Sequence, residues 1–424
     1  MEIRLSEYIR EYNVNSINDC LVYLSQFAER KLIIDGNKTY QCGNIKLISN
    51  LTLIIEKGAT IQLIDHDNFD LNISRKTDLD VPSFENCDYN GQPSKYFIHG
   101  FNLNNITIDG EGIIDGNEKL FYGNITKWHI EGSYYPRIPL LYFENCKNLM
   151  IKNITLTKSA FWTTHLVGCE DVLIDGLKIY NNLRMTNCDG IDPDCCRNIT
   201  IKNCYIESAD DCIVFKSTDY AKKYGITENI RVMDCTLKST SAAIKFGTES
   251  NADIKDIDIK NIKILSSNRG ISLQLRDSGS FLNISFENIF IETRRFKDIY
   301  WWGKAEGISL TAVRRNENTK VGNISNISFK NINIDGEKGI FIYGENKNIS
   351  NISFDNVFIN LNKKTDYSLD VIDLRPSELG IIEHPLNVIY VNNAKSISFN
   401  VKYKIDERLN IKDIYYLNET EEIL

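Results

Sequence analysis

Proline is scarce in this chain, seven in 424 residues, and no stretch is long and apolar enough to cross a bilayer. Nor is there a basic stripe: the formal net charge is -8, which argues against non-specific nucleic-acid binding. The 11 cysteines contain no Cys-x-x-Cys pair, and an odd number cannot all pair within the chain, so buried reduced thiols are expected. His66, His99, His129 and His384 are scattered without metal-ligand spacing, so neither a metal nor another cofactor is expected. The opening, Met1-Glu2-Ile3-Arg4-Leu5-Ser6-Glu7-Tyr8, is charged and lacks the apolar core of a secretory leader. Cytoplasmic location is the expectation that follows, or secretion if a leader has been removed. With 42% hydrophobic residues the chain can bury a continuous core. Its apolar residues come in short alternating runs among Asn and Lys, a pattern that fits neither a helical bundle nor a disordered chain.

What is there is repetition. A polar residue, often Asn, precedes alternating aliphatics and then Asn or Asp-Gly, as in Asn105-Ile106-Thr107-Ile108-Asp109-Gly110. The phrase returns at Asn148, Asp171, Asn198, Asn229, Asp256, Asn283, Asn326, Asn351 and Ser396. Adjacent copies stand roughly 23–31 residues apart, a stride of solenoids. Each unit holds two or three strands of period-2 alternation and has no room for a helix. Stacked in parallel, such strands bury one aliphatic face and pair their backbones with the rungs above and below. Asn suits the corners because it tolerates the left-handed bend and bonds to its neighbours in the stack. The sequence therefore predicts an all-β, right-handed parallel β-helix over residues 1–424 as a single domain. Residues 16–27 have helical spacing, so an N-terminal capping helix is expected within about 1–40, and about 366–424 are expected to close the last coils.

Within the repeats, Asp189 stands in Asn187-Cys188-Asp189-Gly190-Ile191-Asp192, and Asp210 and Asp211 follow one repeat later. A solenoid sets successive repeats on neighbouring rungs, so the three acids are expected on one patch. One acid to protonate a leaving oxygen and a carboxylate to activate water are what glycosidic-bond hydrolysis requires. Like charges raise the pKa of one member and keep it a proton donor. Neighbours on a regular strand face opposite ways, so Asp210 and Asp211 are predicted to lie at a bend or bulge.

These residues stand in a pattern that resembles the polygalacturonase family, glycoside hydrolase family 28, over most of the chain. The motifs in order are Gly43-Asn44-Ile45-Lys46-Leu47 through Gly58-Ala59, Phe161-Trp162-Thr163-Thr164-His165, Asn187 through Asp194, and Asp210 through Ser217. The resemblance implies Asp210 as general acid, with Asp189 and Asp211 holding and deprotonating the attacking water, and inversion at the anomeric centre. Two motifs depart from the family. Ser241 stands where its Gly-His-Gly histidine belongs, and Ser272-Leu273-Gln274 replaces its Arg-Ile-Lys, whose cations hold a uronate carboxylate.

Substrate-binding candidates are His165, Asn187, Lys216, Lys245, Glu249, Arg269, Gln274, Arg276, Trp301 and Trp302; Arg375 reads as structural. His165 is either a cleft residue or a packed one, and Tyr134, Tyr135, Trp301 and Trp302 either stack on sugar rings or pack loops. The implied partner is a pectin-type oligosaccharide, galacturonan or rhamnogalacturonan-derived, taken from a chain end because long insertions would block the groove; neither nucleic acid nor membrane is expected. Three alternatives stay open: the same chemistry on a neutral sugar, a non-catalytic carbohydrate-binding β-helix, and a lyase, which usually needs a Lys or Arg base.

Overall fold

Asparagine at the corners and aliphatics between them build both halves of the molecule. The computed structural model describes residues 1–65, 93, 95–127, 129–131, 137–297 and 302–424. They form two compact units, Met1–Ala209 and Asp210–Leu424, each made of right-handed parallel β-helix coils.

In the first unit the strands Leu51–Ile55, Asn104–Asp109, Lys147–Lys152, Glu170–Asp175 and Arg197–Lys202 lie in parallel register. Ile106, Leu149, Val172 and Ile199 form one buried column along them. At the second residue of the last four of these strands the backbone turns left-handed, with φ of 59° at Asn105, 53° at Asn148, 56° at Asp171 and 57° at Asn198. Asn and Asp accept this conformation, and their side chains form a ladder: Asn105 donates to Asn50 Oδ1 at 2.8 Å, and Asn148 to Asn105 Oδ1 at 3.1 Å. A helix occupies Ser16–Leu24 and buries Ile17, Cys20, Leu21 and Leu24, but the strand Glu2–Arg4 precedes it and pairs with Arg30–Ile34.

In the second unit, Ile254–Ser267, Phe281–Thr293, Ile324–Gly336, Ile349–Leu361 and Ala394–Ile405 stack in the same manner. Phe286, Phe329, Phe354 and Phe399 run through its core with ring centroids 4.7, 4.7 and 5.1 Å apart and nearly parallel planes. Each such pair adds about 0.5–1.5 kcal/mol beyond its buried area. A second sheet runs Ile213–Ser217, Ala242–Ser250, Arg269–Leu275, Ile308–Ala312, Ile340–Gly344, Ile389–Asn392 and Tyr415–Asn418.

Residues 366–388 depart from the expectation of closing coils. They carry the antiparallel hairpin Val371–Asp373 with Ile381–Glu383, while the last rungs come from 389–423. The hairpin packs on the outer face of this second sheet, where Ile372 and Leu374 join Val313, Phe341 and Tyr390 in a buried cluster. The polar fastening is unusual. Arg276 Nε donates to the carbonyl of Leu374 at 3.0 Å, Arg269 Nη2 to that of Asp373 at 3.2 Å, and Lys338 Nζ to that of Val371 at 2.8 Å. All three cations are buried. The segment is a strap fixed from below.

Burial opposes protonation of Lys338 and of two buried histidines. It pushes Lys338 down to about 8, against the pull of Glu306. Burial, with the charge of Lys338, pushes His384 down to about 4; burial and Lys46 do the same to His99. The ordinary value of both histidines is 6.5, so between that and about 4 the unfolded chain binds more protons than the folded one. Stability is therefore expected to fall as pH drops through this window. Thermal unfolding followed over a pH series should show Tm declining there, with a shallower decline in His99→Gln and His384→Gln. A flat Tm would contradict the assignment.

All ten described cysteines are buried, and none forms a disulfide among the described residues. No described helix is long and apolar enough to cross a membrane.

Candidate active site

Asp189 stands two residues before the strand Ile191–Asp194, and Asp211 two residues before Ile213–Ser217. Neither lies in a strand. Residues 209–212 form a bend, as the sequence predicts, so Asp210 and Asp211 escape the alternation of a regular strand.

In the first unit Asp189 is buried, and its carbonyl accepts from the Thr163 amide at 2.7 Å. Arg137 holds the loop leading into it: Nη2 donates to Asn187 Oδ1 at 2.7 Å and Nη1 to the Thr186 carbonyl at 2.6 Å, with the guanidinium 5.3 Å from the Phe161 ring. Asn187, with φ of 54°, is thus the turn that aims the motif. Arg137 lies about 50 residues upstream of the motif it braces, and no local pattern flags it. His165 resolves to the packed alternative. It is fully buried, edge-on to Trp162 at 4.7 Å and Tyr142 at 5.3 Å, with Nε2 3.3 Å from Asp194 Oδ2. It is corrected from a substrate contact to a core histidine paired in register with Asp192 on the next rung.

In the second unit Asp211 is clamped. Lys245 Nζ lies 2.7 Å from its Oδ2, while Ser241 Oγ at 2.9 Å and the Ala242 amide at 3.1 Å donate to Oδ1. Ser241, the residue in place of the family histidine, therefore serves as an acid's hydrogen-bond donor. Asp210 is only partly buried; its Oδ1 accepts from the Asp211 amide at 3.1 Å, and its carbonyl from Ser239 Oγ at 2.7 Å. One carboxylate is held rigid and its neighbour keeps solvent access, a division suited to a water-holding group beside a proton donor.

Another buried carboxylate lies on the next strand. Glu249 pairs with Lys216 at 3.3 Å, and burial, which would raise its pKa, is outweighed by Lys216, Arg315 and Lys245, leaving it at about 2. Lys216 is itself buried, so it balances Glu249 rather than facing an open groove. The backbone beside Glu249 needs glycine: Gly247 has φ of 81°, and a Cβ there would lie 2.3 Å from the Gln274 carbonyl.

The remaining candidates divide. Gln274 is buried and donates to Ser272 Oγ at 3.0 Å, which meets Ser309 Oγ at 2.9 Å. Arg276 is fully buried; its Nη1 donates to the carbonyls of Leu275 and Thr311, so it is corrected from a cleft cation to a strap anchor. Arg269 is likewise buried and pairs with Glu306 at 3.2 Å. Trp302 is 40% exposed. Tyr134, Tyr135, Trp301 and His66 lie outside the described residues.

The fold is thus a right-handed parallel β-helix with aspartates just before its strands. The chain belongs to glycosyl hydrolases family 28, whose family model matches residues 41–373. A probable polygalacturonase of Vitis vinifera is 28% identical over 299 residues, 68% of this chain and 58% of that one. An endo-polygalacturonase of Pectobacterium parmentieri is 23% identical over 354 residues, covering 78% and 79%. The match thus spans little more than half of the Vitis vinifera protein, and 47% of a polygalacturonase of Persea americana. Among solved structures, an exopolygalacturonase from Thermotoga maritima shares the fold at TM-score 0.71 and 18% identity, over 95% of this chain and 92% of that one. One from Yersinia enterocolitica gives 0.69 at 16%, over 100% and 78%.

Proposed function

We propose that the chain is an inverting glycoside hydrolase that takes sugars from the end of pectin-type oligosaccharides. Asp210 is the general acid, and Asp189 and Asp211 hold and deprotonate the water. The observation that supports these roles best is the unequal treatment of the neighbours in the bend, with Asp211 fixed by Lys245, Ser241 and Ala242 and Asp210 partly exposed. Motif order and family membership support the inclusion of Asp189. Inversion requires room for water between acid and base, with the carboxyls roughly 6.5–9.5 Å apart. A cytoplasmic site of action belongs to the same proposal.

The strap supports action at a chain end. Segment 366–388 packs over Val313, Phe341, Tyr390 and Tyr416, leaving less room for a long polymer to pass. A long galacturonan should therefore release one short product from the first minutes, while its viscosity falls slowly. Proton NMR of that first product should show the inverted anomer. A spread of mid-chain fragments would remove the end-acting reading, and absence of any new reducing end would favour a binding protein.

A further inference from the structure

The cation that a uronate would need is missing from Ser272-Leu273-Gln274, and the buried arginines do not replace it, yet one exposed arginine stands nearby. Register leads to it. Asp211 takes a hydrogen bond from Ala242, Ala242 is paired with Arg269 on the next strand, and Arg269 Nη2 donates to the carbonyls of Trp302 at 3.0 Å and Asp373 at 3.2 Å. Two strand spacings, roughly 10 Å, thus separate Asp211 from a post that fixes two backbone points at once.

On that post sits a platform. The guanidinium of Arg375 lies 4.8 Å from the Trp302 ring, and both side chains are 40% exposed. Asp373, fully buried, accepts from Arg375 Nε at 2.9 Å and Nη2 at 2.6 Å, which fixes one edge of the guanidinium. A guanidinium has five N–H groups, and Asp373 uses two, so the edge formed by Nη1 and the far side of Nη2 remains to meet another planar anion. Asp373 also lies 3.8 Å from Lys304 Nζ, so this one carboxylate faces two cations and the group keeps positive charge.

We propose that Trp302 and Arg375 form a sugar subsite selective for a uronic acid: the indole receives the apolar C–H face of the ring and the outer edge of Arg375 its carboxylate. The assignment rests on the hydrolase reading above and chooses a uronate over a neutral sugar. Arg375 reads as structural from the sequence, and the structure shows Asp373 as its local partner. The anchored edge is what makes the other edge rigid, since a planar fork already held in place loses little freedom on binding.

The test compares trigalacturonate with its carboxyl-reduced counterpart, using wild type, Arg375→Gln, Arg375→Lys and Trp302→Ala. Arg375→Gln should lower kcat/KM for the acidic trimer about 10- to 100-fold, mainly through KM, and leave the reduced trimer nearly unchanged. Arg375→Lys keeps the charge and the contact to Asp373 but loses the two-pronged edge; it should recover only part of the loss, and it stands in if the Gln variant fails to fold. Trp302→Ala should weaken both substrates. Equal effects of Arg375→Gln and Arg375→Lys on acidic and reduced trimers, or no effect, would overturn the subsite. Should neither trimer be cleaved, the hydrolase reading fails, and calorimetry with trigalacturonate decides the subsite separately: affinity lost in Arg375→Gln upholds it, and no binding to wild type refutes it.

Discussion

Replacing Asp210 by asparagine is expected to remove turnover by about 10²- to 10⁴-fold, the range typical of a lost general acid, while leaving the fold intact. The geometry explains why the two effects separate. Asn keeps an Oδ1 that accepts from the Asp211 amide, and the bond from Ser239 goes to the backbone carbonyl, which the substitution does not touch. The side chain is partly exposed, so no buried charge is orphaned. What disappears is the transferable proton. Release of reducing ends, read beside circular dichroism and Tm, checks both halves of the expectation. A variant that still turns over would take the acid role away from this residue.

The largest effect on stability is expected from Glu306→Leu. Arg269 pairs with Ala242, and the amides of Gly270 and Gly307 bond to the carbonyls of Glu306 and Lys338, so one anion stands between two cations. Its Oε2 takes Arg269 Nε at 3.2 Å and the Lys304 amide at 2.8 Å. Burial would raise its pKa, but Arg269 and Lys338 hold it below the ordinary value. Leucine fills the volume and leaves those buried cations facing one another. Breaking a buried pair from one side costs about 3–5 kcal/mol. For a unit of this size the loss corresponds to a Tm decrease on the order of 10 °C. Glu306→Gln keeps the acceptor without the charge and should fall between the two. Thermal unfolding that leaves the Leu variant level with wild type would show that the alternation of charge does not hold the column.

Much of the scaffold was legible because its rules are local. Alternating aliphatics specify a strand wherever they occur, and Asn at 105, 148, 283 or 326 marks a left-handed corner by a preference of its own backbone. The bend at Asp210-Asp211 followed from the same reasoning, since period-2 geometry forbids two neighbours from sharing a face. The strap could not be read in this way. Arg276 and Leu374 are 98 residues apart, and the acceptor is a carbonyl that every amino acid carries, so the contact leaves no trace in side-chain pattern. For the same reason Arg269 and Arg276 looked like groove cations: arginine beside a strand is equally compatible with binding sugar and with binding backbone. His165 was ambiguous because only three dimensions bring Trp162, Tyr142 and Asp194 around it.

The way segment 366–388 is moored bears on how this protein can change. Lys338, Arg269 and Arg276 grip main-chain oxygens at positions 371, 373 and 374, so this polar part of the mooring does not depend on side-chain identity, while Ile372, Asp373 and Leu374 are fixed by their own buried contacts. Substitutions at its exposed positions, such as Glu378, Leu379 and Ile381, can accumulate without casting it loose, and a surface that holds still while its chemistry varies is one from which new sugar preferences can be selected.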